Sequence, residues 1–295
     1  MASEAPVSHP AVVDRQRPES IAPPAGVDSS AMPSDAHDSG RAARGDFTRS
    51  PWLPVVALLV TVALWDLGAR LTIPILLPPP ADVARAGWKS ASDGSLFRHI
   101  GASYFRILTG WAIGCAIAVP FGILAGRIRW VRAILDPYVE FFRFVPPIAF
   151  VTLFMIWLGL GELSKVALIV YTAFFTTFLA TLAGAMGVEP ERIRAAQCLG
   201  ATRRQVFFRV IVPGTVPHIV TGVRLSLGLA FMTVIAAEFI AAQTGIGYMI
   251  FSARLFAQTE YVFLGILVLG LMGFAANWVL KKLLSRIVYR YDVKL

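Results

Sequence analysis

The chain has 295 residues, of which 56% are hydrophobic and only 15% charged, and its mean hydropathy is +0.66. Soluble domains carry nearer ~25% charged residues, so this composition excludes an ordinary soluble protein and indicates an integral membrane one. The net charge of +9 resembles a nucleic-acid signal, but Lys and Arg cluster beside apolar runs, as they do in cytoplasmic loops, and no nucleic-acid partner is expected.

Residues 1–50 are rich in Ala, Pro, Ser, Asp and Arg and nearly free of large apolar side chains. Such a segment cannot bury enough surface to order itself, so it reads as a disordered cytoplasmic tail. It has no apolar core of the secretory-signal kind. Residues 51–295 form the membrane domain.

A crossing needs ~20 apolar residues. Six runs qualify, at 52–71, 104–126, 146–160, 163–186, 215–242 and 261–284. The expected fold is therefore an all-α bundle of six transmembrane helices. After the first run, Pro78, Pro79 and Pro80 end the helix, and Asp82 or a neighbour can start an interfacial helix running toward Tyr104. The third run is short. Its helix is expected to begin near Leu135 and to kink at Pro146 and Pro147.

The segment 187–213, between the fourth and fifth runs, is polar and basic. Pro190 suits the first turn of a helix, and Gly200 suits the residue just past a helix end. Thr202 can cap a second short helix, which Pro213 is expected to stop. Two short helices joined at a glycine are more order than a solvated loop needs, and they read as a docking surface for a cytoplasmic partner.

The fifth run carries Arg224 and Glu238. Their spacing puts both on one face of a helix, about 21 Å apart at ~1.5 Å per residue. They cannot pair, but both could line one path or gate. Intramembrane acids mark pathways or buried pairs, and an arginine in a wet path favours an anionic solute. The stretch 243–260 comes next, with Gly245 and Gly247 as hinges and then an amphipathic segment half-inserted at the outer mouth. Glycines inside the runs, such as Gly110, Gly114, Gly122 and Gly126, read as close-packing positions.

Basic residues mark alternate loops: Arg127, Arg129, Arg132 and Arg143; then Arg192, Arg194, Arg203, Arg204 and Arg209; then Lys281, Lys282, Arg286, Arg290 and Lys294. The other loops are poorer in net positive charge. Both termini are therefore expected in the cytoplasm.

The 187–213 segment resembles the "EAA" loop of binding-protein-dependent ABC transporter permeases. That loop runs Glu-Ala-Ala, three residues, Gly, nine residues, Ile, any residue, Leu-Pro. The matching residues are Arg194-Ala195-Ala196, then Gly200, then Val210-Ile211-Val212-Pro213, with Arg194 in place of Glu and valines in place of Ile and Leu. Four flanking strings look like the nitrate/sulfonate/taurine/bicarbonate group of these permeases. They are Leu77-Pro78-Pro79-Pro80-Ala81-Asp82-Val83, Pro146-Pro147-Ile148-Ala149, Trp157-Leu158-Gly159-Leu160-Gly161-Glu162-Leu163-Ser164-Lys165, and Ala237-Glu238 with Gly245-Ile246-Gly247-Tyr248 after it. The resemblance covers roughly residues 52–290. It implies a pore of two copies in a bacterial inner membrane, a pair of ATP-binding subunits docked on the cytoplasmic helix around Arg194, Ala195, Ala196, Gly200 and Pro213, and a periplasmic binding protein that delivers a small, often anionic solute.

This chain has no Gly-x-x-x-x-Gly-Lys-Ser/Thr string, so it is expected to hold no ATP itself; that cofactor belongs to the partner subunit. No metal-ligand spacing is present, and His99 and His218 are isolated. Cys115 falls in an apolar run and Cys198 in the basic segment, too far apart in kind and place for a disulfide or a metal motif. The rival readings are an ion-coupled secondary transporter or channel using Glu238, and a purely structural membrane subunit. The first would often carry inverted repeats, and none is evident. The second would need no polar pathway residues.

Overall fold

A computed structural model describes residues 52–287, and every regular element among them is helical. The expected tail at 1–50, both termini, and the last basic residues Arg290 and Lys294 lie outside the described residues. The stretch ending at Ala57 and the body from Leu58 onward are separate compact units.

Three long helices form the centre of the body: α3 (Ser95–Arg127), α6 (Glu162–Met186) and α9 (Val212–Ala241). Gly110, Gly114, Ala118, Gly122 and Gly126 recur every fourth residue and so share one face of α3. A Cβ at Gly114 would stand 2.8 Å from that of Ala173, and one at Gly122 would stand 2.8 Å from that of Thr181. Small residues at this spacing let two backbones meet, which is how apolar helices associate where no hydrophobic force separates protein from lipid. Polar side chains then fix α9 to the pair. The Trp111 indole donates to the Val223 carbonyl at 3.0 Å, and the Thr172 and Thr233 hydroxyls pair at 3.0 Å.

The structure differs from the sequence reading at three places. The expected third span is a broken pair, α4 (Arg129–Phe142) and α5 (Val151–Leu158), joined through a 3-10 turn at Pro147–Phe150 and bent by 93°. Pro146 has no N–H to bond the Phe142 carbonyl, so the helix opens there. The Phe142 carbonyl takes the Val145 N–H at 3.1 Å instead, and the Tyr171 hydroxyl reaches the Phe142 and Val145 carbonyls at 2.7 and 3.2 Å, which stabilises a break where the sequence suggested a kink. Among the described residues, five helices are long and apolar enough to cross a membrane, and the six-span count holds with the bent pair taken as one crossing.

The interfacial helix α2 (Pro80–Ser92) does not run toward Tyr104. It ends at a turn in which Gly94 takes φ +76°, and α3 begins at Ser95, whose N–H donates to the Asp93 carboxylate at 2.8 Å.

Pro213 does not stop the helix that Thr202 starts. Short α7 (Pro190–Cys198) and α8 (Arg203–Val206) lead to a π-helical turn, Phe207–Ile211, that runs straight into α9. Pro213 sits in the first turn of α9, where the wide turn before it accommodates the missing donor. The last two elements are α10 (Ile246–Leu255) and α11 (Thr259–Ile287).

Candidate functional site

At the end of the bundle where α9 turns into α10, a polar clasp joins three helices. His99, Ser103 and Arg106 share one face of α3, at helical spacings of four and three. All three are buried, Arg106 at 1% exposure, and they face Glu238, which is 0% exposed. The Arg106 guanidinium uses each of its five donors. Nε and Nη2 clamp the Glu162 carboxylate at 2.5 and 2.7 Å. Nη1 reaches Glu238 at 2.7 Å and the Thr244 carbonyl at 2.6 Å, and Nη2 also reaches the Thr244 hydroxyl at 3.2 Å. Lys165 adds a 3.1 Å contact to Glu162. Two cations and two carboxylates thus balance, which makes their burial tolerable in a medium that strongly penalises an unpaired charge.

The clasp also holds the start of α10. The first N–H groups of a helix have no partner within it. Here the N–H of Gly245 donates to His99 Nδ1 at 3.0 Å, that of Ile246 to Ser103 Oγ at 2.8 Å, and that of Gly247 to Glu238 Oε2 at 2.8 Å. The Ser103 hydroxyl donates in turn to Glu238 at 2.8 Å. The carboxylate therefore lies at the positive end of α10, where a negative charge is favoured. Gly245 takes φ +125°, and a Cβ there would run into the Glu238 carboxyl group; one on Gly247 would lie 2.8 Å from the Glu238 Cβ. Gly245 answers a backbone need and Gly247 a close approach. Beside the clasp, the half-exposed Glu162 and the Lys165 stem line a recess of about 560 Å³ with Gln243 and Thr244.

Sequence reasoning singled out Glu238, Gly245 and Gly247 but missed Arg106, Ser103 and His99. One signal was available: Arg106 is a lone basic residue inside an apolar run, and such a residue needs a partner. Arg224, expected to share a path with Glu238, is not part of this group. It lines a groove between α9 and α11 instead. Glu238 itself is sealed in protein and faces no open path in this structure.

At the other end of α9 lie the short helices. Gly200 takes φ +81°, with open space where a Cβ would project. Thr202 and Gln205 form a reciprocal capping box, the side chain of each meeting the backbone N–H of the other at 3.3 and 2.8 Å. Ile193 and Ala196 pack inward against Val206 and Ile211. The opposite side of α7 presents Arg194, Ala195 and Cys198 to solvent, and beside them stands Leu199 at 88% exposure. Among the described residues Arg194 pairs only with Glu191, loosely, at 3.8 Å.

A bundle with these spans, a sealed polar clasp at one end and an ordered helix pair at the other is the membrane domain of a multi-pass protein. Residues 118–289 match the family described as binding-protein-dependent transport system inner membrane component. The chain is 39% identical over 251 residues to the taurine transport system permease protein TauC of Escherichia coli K12, an overlap of 83% of this chain and 91% of that one. It is 34% identical over 228 residues to the putative aliphatic sulfonates transport permease protein SsuC of Bacillus subtilis 168, covering 76% and 83%. Among solved structures, the inward-facing MetNI methionine ABC transporter superposes with a TM-score of 0.52 at 17% identity, covering 63% of this chain and 95% of that one, a likeness of fold alone. The chain belongs to the family of binding-protein-dependent transport system inner membrane components. It is the membrane-spanning permease subunit of an ABC importer.

Proposed function

We propose that two copies of this chain form the pore of an importer for a small sulfonate anion of the taurine type. A periplasmic binding protein delivers the solute, and a pair of ATP-binding subunits drives the cycle from the cytoplasm. The chain sits in a bacterial inner membrane with both termini inside; residues 51–295 are its permease domain, and ATP hydrolysis takes place on the partner. The substrate class rests on the taurine and sulfonate permeases among its relatives. The alternation of basic loops supports the orientation.

One observation carries the docking assignment. α8 starts at a reciprocal capping box and the α7–α8 pair is anchored from beneath, yet it holds Leu199 at 88% exposure beside Ala195 and Gly200. Leu199 stands with the exposed small residues Ala195 and Gly200 on the very segment that resembles the family's ATPase-docking loop, and that combination supports an interaction site here. Arg194, Ala195, Ala196 and Gly200 form or support that surface, and Pro213 joins it to α9, so that a push on α7 is passed directly into a membrane helix. Glu238, Gly245 and Gly247 serve as the outer gate, holding α10 closed until that push arrives.

The secondary-transporter reading is the weaker one. Ser103, Arg106 and Gly247 already occupy the Glu238 oxygens, which suits a latch better than a site for a passing ion.

Leu199→Asp tests the docking surface. The side chain touches little within the chain, so the variant should insert and melt as the parent does, within about 0.5 kcal/mol. It should lose the ATP-binding subunit on co-purification, because a carboxylate would be desolvated at the centre of the contact. Undiminished co-purification would remove α7–α8 as the docking site.

A further inference from the structure

We propose that the groove between α9 and α11 holds one anionic phospholipid, its phosphate on Arg224 and an acyl chain along the trough. The groove encloses about 400 Å³ and changes character along its length. Arg224 and Asn277 make one end polar, and Leu269, Phe231 and Ile266 make the remainder apolar. Its floor is open. Nothing lies within 4 Å of where a Cβ on Gly228 or Gly270 would sit. Asn277 and Ile266 are about 16 Å apart at ~1.5 Å per helical residue, room for much of an extended acyl chain.

Arg224 is the reason to look for an anion. Its Nε is buried without a hydrogen-bond partner, and no carboxylate pairs with the guanidinium among the described residues. With its Nε sealed and no carboxylate opposite it, the guanidinium lacks a counter-charge at the edge of the apolar layer, and an anionic group favours such a site. The depth is marked by Trp278, 57% exposed, with the Lys282 ammonium 5.1 Å from its ring centre. Exposed Trp and Lys side chains of this kind settle at the bilayer–water boundary. Asn277 adjoins Trp278, so the polar end of the groove lies at headgroup level and the apolar end runs into the hydrocarbon. A small free anion would satisfy Arg224 but leave the trough empty. An apolar helix face from another chain would fill the trough without meeting the charge of Arg224, and equal retention of the two lipids in the test below is the outcome that would favour it. A phospholipid with net negative charge does both.

The test is native mass spectrometry of the full-length chain, with its co-purifying subunits, after exchange into equimolar phosphatidylglycerol and phosphatidylcholine. The parent should retain phosphatidylglycerol in preference. Arg224→Gln should lower that retention about fivefold, the change one basic residue is worth at an anionic membrane surface. Arg224→Lys should keep most of it. Gly270→Leu fills the trough without touching the arginine and should lower retention as well. Equal retention of the two lipids by the parent, which needs no variant, would overturn the proposal. So would unchanged retention in Arg224→Gln. Displacement by added glycerol phosphate, with Gly270→Leu having no effect, would assign Arg224 to a free anion instead.

Discussion

Arg106→Met is expected to destabilise the chain by about 3–5 kcal/mol, the usual consequence of leaving one member of a buried ion pair alone. Methionine roughly matches the length of the arginine stem and removes all five donors. Glu238 would then remain fully buried with Ser103 and the Gly247 N–H as its only partners, and the Thr244 carbonyl would lose its donor. Glu162 would suffer less, because it is half exposed and keeps Lys165 at 3.1 Å. The cost therefore belongs mainly to Glu238. Combining Arg106→Met with Glu238→Leu should recover more than half of the loss, since the stranded charge goes too. Thermal unfolding in detergent, read for the single and double variants, checks this. Equal or additive losses would show that the two side chains act separately.

Glu238→Gln should change coupling more than stability. The carboxylate accepts on both oxygens, from Arg106 and Ser103 on one and from Ser103 and Gly247 on the other. A carboxamide has one acceptor and one donor end, so either the guanidinium or the Gly247 N–H must face an NH2 group. Losing one such buried bond is worth about 1–3 kcal/mol, which shifts a two-state gate by roughly 5- to 150-fold toward its open form. ATP hydrolysis by the assembled complex should then rise in the absence of binding protein, while uptake falls. Parallel measurement of both rates in liposomes decides the matter. Values matching the parent for both would end the gate assignment.

The chain's own pattern made much of this visible. Apolar runs of span length located the long helices because the bilayer fixes their length, and the glycines of α3 announced a close-packed face by their spacing. Pro190, Gly200 and Thr202 placed α7 and α8 because each residue type answers a specific backbone need at a helix end. Pro213 misled the reading. A proline's local preference does not reveal whether the turn before it can widen, and here it does. The break between α4 and α5 was half legible. The two prolines were evident, but the hydroxyl of Tyr171 that holds the break open is remote in sequence. The same is true of the clasp. Glu238 stood out as an acid in an apolar run, whereas its partners Ser103 and Arg106 come from α3, and Glu162, which Arg106 also holds, comes from α6; only tertiary packing unites them.

The most direct test of the central claim is uptake in proteoliposomes built from this chain, its ATP-binding subunit and its binding protein. The expected result is accumulation of a sulfonate such as taurine that requires both ATP and the binding protein, and that is abolished by Leu199→Asp. Accumulation driven by an ion gradient alone, with neither ATP nor binding protein present, would contradict it.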